Sequence, residues 1–150
     1  STSMMLPLPL DRVFPFFAEA SNLERITPPE LGFHLVSAQP ILMRQGTLLE
    51  YRLKMFGVPL SWLSQISKWR PPHEFVDKQL RGPYREWIHT HRFRQQGQDT
   101  LIEDEVNYRL PWFPLGEIAY SLVQMKLQRI FAYRQEAVRR ALMGSDNYPG

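Results

Sequence analysis

The 150-residue sequence contains no cysteine, which excludes disulfide bonds, thiolate nucleophiles and cysteine-ligated metal sites. No apolar run approaches the roughly 20 residues of a membrane-spanning helix, so stable membrane insertion is not expected. The N-terminus lacks a basic segment followed by an apolar one, which predicts no signal peptide and a cytoplasmic protein. Gly-rich phosphate loops and the nucleophile elbow of hydrolases are also missing from the sequence.

Strong charge of one sign is missing as well. The formal net charge is only +3, and Lys and Arg are interspersed with acidic residues rather than clustered, so a nucleic-acid partner is not expected. What the chain has is aromatic residues, at 13% of the total with four Trp, which must pack in a core, line a pocket or cover an interface. We expect one domain over 1–144, a flexible tail over 145–150 and no cofactor; the oligomeric state is left open.

The segment 117–142 is predicted to form one long amphipathic helix. It contains no Pro or Gly and is rich in good helix formers. At 100° per residue, one arc of this helix carries apolar side chains, namely Ala119, Leu122, Val123, Leu127, Ile130, Ala137, Val138 and Ala141. The helix spans about seven turns, or roughly 39 Å, and needs a large apolar surface to lie against.

That surface is predicted to be an antiparallel sheet. A strand over 3–8, confined by Pro7 and Pro9 to an edge or a strand end, precedes two short helices over 12–19 and 23–26. Asp11 is the expected N-cap of the first helix. Six more strands are predicted from alternating hydrophobicity and turn residues, over 33–38, 47–56, 61–70, 74–80, 85–94 and 100–110.

Short turns between consecutive strands indicate antiparallel pairing. In the strand 47–56, Leu49, Tyr51, Leu53 and Met55 share one face, which predicts a sheet with one wet side and one covered side. In the strand 61–70, Trp62 and Trp69 are expected on opposite faces. The predicted fold is α+β: a curved antiparallel sheet of about seven strands wrapped around the C-terminal helix, with a cavity between sheet and helix.

Short motifs along the chain match a known superfamily. They are Asn22 to Pro29 (NLERITPP), Trp69 to Pro72 (WRPP), Phe75 to Asp77 (FVD), Gly82 to Tyr84 (GPY), the row Trp87, His89, His91 and Phe93, the row Asp104, Val106 and Tyr108, the pairs Leu110-Pro111 and Leu115-Gly116, and Phe131 and Arg134. With the order of elements, they resemble the SRPBCC superfamily, which includes START lipid-transfer domains, polyketide cyclases and Bet v 1-like allergens. The resemblance implies a helix-grip fold and carries over no catalytic residue.

The motif Trp87-x-His89-x-His91-x-Phe93 places four side chains on one face of one strand. Its apolar members predict that this is the inner face. A turn near Gly97 makes the residue numbers of facing partners add to about 195, which sets His91 opposite Asp104 and Trp87 opposite Tyr108. Facing side chains lie about 5 Å apart at Cβ. An Asp and a His are therefore expected to meet inside the sheet.

Three roles are open for this pair. It is either an inert buried pair, a polar contact for a ligand, or an acid–base device in which Asp104 orients His91 or raises its pKa. The two histidines with a carboxylate are also a possible zinc-type site, although a third histidine with suitable spacing is absent and no metal is expected. The catalytic candidates are therefore His91 and Asp104.

Lys126 and Arg134 interrupt the apolar arc of the long helix. Each either extends to the helix edge, pairs with Asp104, or holds an acidic head group of a ligand. We expect a hydrophobic ligand of lipid, isoprenoid or aromatic polyketide type. By analogy with the fold that the chain resembles, the segment 22–29 and the Pro-rich loop 111–114 are expected to form the mouth of its pocket. The predicted ligand-binding residues are Tyr51, Leu53, Trp87, His89, His91, Phe93, Asp104, Tyr108, Lys126, Ile130 and Arg134.

Two other functions are consistent with the sequence. One is a cyclase or dehydratase that uses His91 with Asp104 in an apolar cavity. The other is an interaction module without a pocket, in which exposed Trp62 or Trp112 forms a surface for a partner.

Overall fold

A computed structural model describes residues 1–110 and 116–144 of the chain; the loop 111–114, with Trp112, and the tail predicted over 145–150 lie outside these ranges. Within them, seven strands form one antiparallel sheet in the order β1-β7-β6-β5-β4-β3-β2. The strands are β1 (Thr2–Leu6), β2 (His34–Leu35), β3 (Leu48–Met55), β4 (Val58–Arg70), β5 (Glu74–Arg81), β6 (Glu86–Gln96) and β7 (Asp99–Arg109). The helices are α1 (Leu10–Ala18), α2 (Asn22–Arg25), a 3-10 turn (Pro29–Leu31) and α3 (Gly116–Met143).

The predicted architecture is confirmed. The sheet is curved and antiparallel, two short helices follow the first strand, and one long helix ends the described chain. The strand β1 lies at the sheet edge beside β7, as expected from Pro7 and Pro9, which donate no ladder hydrogen bonds. At about 1.5 Å per residue, the 28 residues of α3 extend for roughly 42 Å. No helix in the described ranges is both long and apolar enough to cross a membrane.

The start of α1 differs from the prediction. Pro9, not Asp11, is the N-cap residue, and Asp11 lies in the first turn without capping it. The reason is a partner far away in sequence: the amide nitrogen of Leu10 donates to Gln95 Oε1 at 2.7 Å, so the β6–β7 hairpin satisfies one of the free helix amides. The side chain of Phe14 then packs edge-on against Phe93 at a centroid distance of 5.3 Å.

The prediction that Trp62 and Trp69 lie on opposite faces is wrong. A β-bulge between β4 and β5 shifts the register between Ile66 and Lys68, and an extra residue reverses the alternation of the strand beyond it. Trp69 therefore packs against Phe75 in the core, with the two ring centroids 5.6 Å apart. Trp62 is 7% exposed, so it forms no partner surface of the kind that an interaction module requires.

Several strand boundaries also differ from the predictions. The strand β2 is two residues long rather than six, because the amides of Val36 and Ser37 both donate to the carbonyl of Glu50 and the regular ladder ends there. The β6–β7 loop is only Gly97 and Gln98, so both strands extend further into the hairpin than predicted. Gly97 has φ +62°, the left-handed conformation that such a tight turn needs.

The helix α3 buries a stripe that runs through Val123, Phe131 and Val138, with exposures of 6%, 8% and 0%. Leu122, predicted on the inner arc, is 54% exposed. Relative to the prediction, the helix is therefore rotated about its axis. Phe131 lies at the centre of the buried face, and Leu122 lies outside that face. Arg134 lies in this buried stripe, one turn after Phe131.

Candidate functional site

A cavity of about 160 Å³ lies between the sheet and α3. Strands β3 to β6 form one wall, the region of α1 and α2 forms another, and α3 closes the third side. The wall is mainly apolar and aromatic. Seven of the predicted ligand-binding residues line this cavity, namely Tyr51, Leu53, Trp87, His89, His91, Ile130 and Arg134.

The other four predicted residues lie elsewhere. Phe93 is buried between the rings of α1, and Asp104 lies behind the two histidines. Tyr108 stacks on Tyr120 of α3 at a centroid distance of 5.8 Å, and partial burial, together with the nearby Tyr120 phenol, raises the pKa of Tyr108 to about 12. The ammonium group of Lys126 lies 5.8 Å from the ring centroid of exposed Phe56, so Lys126 extends towards the helix edge.

The predicted register of β6 and β7 is confirmed. His91 pairs with Asp104 and Trp87 with Tyr108, and the residue numbers of each pair add to 195. Trp87, His89 and His91 are all buried on the inner face. The period of two along β6 thus brings two imidazoles side by side, with ring centroids 3.7 Å apart.

Asp104 accepts hydrogen bonds from both histidines through one oxygen. Its Oδ1 lies 2.8 Å from His89 Nε2 and 3.1 Å from His91 Nδ1. The guanidinium nitrogen Nη2 of Arg134 lies 3.8 Å from the same oxygen. Because Asp104 is 8% exposed, its carboxylate is the anionic centre of a buried polar cluster.

A second carboxylate, Asp77 of β5, completes the cluster and was not among the predicted site residues. Its Oδ2 lies 2.8 Å from His91 Nε2 and 3.7 Å from His89 Nδ1, and its side chain lines the cavity. In the sheet, Asp77 pairs with His89 and Phe75 with His91. The alternation from Phe75 to Asp77 was the available signal, because side chains two positions apart in β5 lie on the same face, here a core aromatic and an acid.

Both carboxylates are ionised. Burial alone would raise the pKa of Asp77, but the hydrogen bond from His91 and the nearby positive charges lower it below its usual range. Burial opposes ionisation of Asp104 as well, yet the Arg134 charge and the hydrogen bonds from both histidines hold its pKa well below the ordinary value. The buried face therefore carries two negative charges that need positive partners.

The surroundings shift the pKa values of the two histidines in opposite directions. Burial and the adjacent charge of His91 lower the pKa of His89 to about 4, so His89 is neutral at pH 7. Burial would lower the pKa of His91 too, but hydrogen bonds to Asp104 and Asp77 raise it above its ordinary value. The neutral form of His89 donates Nε2–H to Asp104. His91 lies between the two carboxylates, with Nε2 2.8 Å from Asp77 Oδ2 and Nδ1 3.1 Å from Asp104 Oδ1, an arrangement that favours its protonated form.

Arg134 approaches this cluster from α3, and its side chain is only 11% exposed. Its Nη2 lies 3.3 Å from His91 Nδ1. When His91 is charged, Arg134 Nη2 and His91 Nδ1 both carry protons. Both nitrogens are then donors, and Asp104 Oδ1 is the acceptor that they share. The guanidinium carbon lies 5.5 Å from the ring centroid of Phe17. Its Nε is buried and has no hydrogen-bond partner in the part of the chain that the structure describes.

The side chains of Asp77, His89 and His91 each offer one ligand atom, all within 4.8 Å of one another, and could hold a metal ion. A divalent ion in this position would displace the proton of His91 and face the Arg134 guanidinium across the cluster. The guanidinium of Arg134, 3.8 Å from Asp104 Oδ1, already places a positive charge beside the two carboxylates. A divalent cation here would lie next to another cation, which disfavours a metal ion at these nitrogens.

Comparisons with known proteins agree on the fold. No protein-family model and no curated protein sequence matches the chain. Among solved structures, it is similar to TTHA0849 from Thermus thermophilus, with TM-score 0.71, 18% identity and 97% of each chain covered. It is also similar to the Zhui aromatase/cyclase from a Streptomyces species, with TM-score 0.68, 14% identity and 93% of each chain covered.

A third similar structure is a START superfamily protein from Mycobacterium smegmatis, with TM-score 0.66, 9% identity, 95% of this chain and 94% of that chain covered. These neighbours confirm the resemblance stated from the sequence at the level of the fold: the chain has the START-like, Bet v 1-like helix-grip architecture.

Proposed function

We propose that this protein binds a hydrophobic small molecule in the cavity between the sheet and α3. The observation that carries the proposal is the cavity itself, which is walled by apolar and aromatic side chains and has one polar end made by Asp77, His89, His91 and Arg134. A largely apolar pocket with a few convergent polar groups is the usual form of a small-molecule site. The ligand would be of lipid, isoprenoid or aromatic polyketide type.

The fold is consistent with this proposal. The helix-grip architecture is shared with a START superfamily protein and with an aromatase/cyclase. Because fold alone does not determine function, the proposal depends on the cavity and not on those neighbours.

The size of the cavity restricts what it holds without rearrangement. Its volume of about 160 Å³ is about half of the roughly 300 Å³ at the lower end of drug-sized sites. It is close to the cavity of about 150 Å³ that takes up benzene in an engineered protein core. A one-ring compound is therefore the matched test ligand. Larger ligands would need flexible lining side chains such as Met43 and Met55 to move.

Filling the cavity should abolish binding. Ile130 lines the cavity from α3, so Ile130→Trp is expected to weaken the binding of ethylbenzene at least about tenfold, with a stability cost of about 1–3 kcal/mol. The matched control is Leu122→Trp on the same helix, where the side chain is 54% exposed. Ligand-observed NMR titration measures both. Equal ethylbenzene affinity in the two variants would contradict binding in this cavity.

A second candidate function is acid–base catalysis, and the opposite pKa shifts of His89 and His91 favour it. Environments that push the pKa values of two neighbouring groups apart create a proton donor and a proton acceptor. In this arrangement His91 would transfer its Nε2 proton from Asp77 to a ligand carbonyl, and neutral His89 would accept a proton from the adjacent carbon at Nδ1. The electrons of the broken C–H bond form the enol double bond, and the carbonyl π electrons form the O–H bond. Both histidines line the cavity, as the step requires.

Catalysis of this kind would exchange the methyl protons of acetophenone for deuterium in D₂O, measured by NMR. The exchange rate is expected to fall about a hundredfold in His91→Ala, while acetophenone binding remains within a fewfold of the wild type. His73→Ala is the control, because His73 is exposed in the β4–β5 turn. Exchange that survives in His91→Ala would rule out this role for His91, and the binding function would stand alone.

A further inference from the structure

The unpartnered nitrogen of Arg134 determines what the polar end of the cavity recognises. Within the described residues 1–110 and 116–144, its Nε is buried without a hydrogen-bond partner, whereas Nη2 lies 3.8 Å from Asp104 Oδ1. Leaving a buried donor without a partner is unfavourable. Arg134 lines the cavity, so a ligand acceptor would reach Nε after a small movement of the side chain and supply the partner. The missing partner must be an acceptor, since Arg carries donors only.

The charge of the cluster decides whether the acceptor on the ligand is neutral or negatively charged. Two carboxylates, Asp77 and Asp104, already share this buried cluster with the guanidinium of Arg134. A ligand carboxylate would add an uncompensated negative charge in a buried site and would face Asp77, which also lines the cavity. A neutral oxygen would satisfy the Arg134 donor without changing the charge balance.

We infer that the ligand carries a neutral carbonyl oxygen, as in a ketone, aldehyde or ester, and that this oxygen accepts a hydrogen bond from Arg134 Nε. The inference rests on the proposed binding function and narrows the ligand class. It replaces the acidic head group that the sequence suggested for Arg134. The rest of the ligand is apolar and packs against the aromatic wall. Ring faces of Phe17 and Phe131 near the guanidinium keep water from screening the contact.

Three compounds of matched size separate the possibilities: ethylbenzene has no oxygen, acetophenone has a neutral carbonyl, and benzoate has a carboxylate. We expect acetophenone to bind the wild-type protein at least about tenfold more tightly than benzoate does at pH 7.5. The carbonyl stretch of bound acetophenone, measured by infrared difference spectroscopy with a ¹³C-labelled carbonyl, should lie below its frequency in hexane. Tighter binding of benzoate, or a bound carbonyl frequency equal to that in hexane, would overturn the inference.

Variants assign the hydrogen bond to Arg134. Arg134→Met should weaken acetophenone binding about tenfold and remove the carbonyl shift, with ethylbenzene affinity within twofold of the wild type. Arg134→Lys keeps the positive charge without the Nε donor, so it should lose most of the carbonyl shift as well. Arg129→Met is the control on the same helix, because Arg129 pairs with Glu30 outside the cavity. A shift that persists in both Arg134 variants would assign the contact to another donor and overturn the inference.

The outcomes distinguish this inference from the proposed function. If ethylbenzene does not bind the wild-type protein, the cavity takes up no hydrophobe and the proposed function fails. If ethylbenzene binds but the acetophenone carbonyl is unshifted, only the role of Arg134 fails. The infrared measurement on the wild type needs no variant, so it decides the matter even if Arg134→Met does not fold.

Discussion

Asp104→Asn is expected to lower the free energy of unfolding by about 3–5 kcal/mol, the largest effect of any single substitution considered. One oxygen of Asp104 holds His89 and His91 and faces Arg134. Asparagine leaves these groups in place but removes the negative charge, so the Arg134 guanidinium loses the carboxylate that it faces. Burying an uncompensated cation is what makes the change costly.

Urea unfolding of Asp104→Asn and Glu103→Gln at pH 7 measures this effect. Glu103 is the adjacent residue on β7, and its side chain pairs with Arg94 on the wet face at 3.3 Å. Because both partners are exposed to water, its loss should change the free energy of unfolding by less than about 1 kcal/mol. If the two variants lose equal stability, Asp104 is not the electrostatic centre of the buried cluster.

Acidification should destabilise the protein well before its carboxylates titrate, and His89 is the reason. The pKa of His89 falls from an ordinary value of 6.5 to about 4 in the folded protein. Below pH 6.5 the unfolded chain takes up a proton that the folded protein does not, so stability falls as the pH decreases towards 4. At about 1.4 kcal/mol per pKa unit, the loss amounts to about 3 kcal/mol.

The other groups around His89 contribute in different pH ranges. His91 has a raised pKa, so its stabilising contribution is fully present below pH 6.5 and is lost as the pH rises through its folded pKa. Asp77 and Asp104 have lowered pKa values, so their contributions are present above the ordinary carboxyl pKa and are lost only as the pH falls through the folded values. Arg134 is charged throughout this range.

Urea unfolding at a series of pH values from 4.5 to 7.5 tests the assignment to His89. His89→Gln keeps a donor for Asp104 but removes the titrating imidazole, so most of the stability loss between pH 6.5 and 4.5 should disappear. His34→Gln is the control, because the His34 side chain is 71% exposed. A wild-type pH slope that survives in His89→Gln would assign the acid sensitivity to another group.

The features that the sequence predicted well are set by local rules. The period of two along β6 and β7 and the short turn at Gly97 determine that His91 faces Asp104, and all of this information lies within a single hairpin. The broad architecture also follows from local patterns, because alternating strands and one amphipathic helix leave only a few ways to cover the sheet.

The features that were missed depend on packing between distant parts of the chain. Asp77 enters the site through the pairing of β5 with β6, and its position relative to β4 depends on a bulge that alternation does not reveal. The rotation of α3 about its axis places Phe131 rather than Leu122 in the core, a choice made by shape complementarity with the sheet. The approach of Arg134 to Asp104 also depends on how α3 packs against the sheet.

The most direct test of the central claim is a crystal structure of the protein soaked with bromobenzene, read from the anomalous scattering of bromine. The compound matches the cavity in size and has no polar group that would bind it elsewhere. We expect one bromine peak, between the sheet and α3, among Tyr51, Trp87 and Ile130. No peak in that cavity, or peaks confined to exposed apolar side chains such as Leu42, would contradict the account.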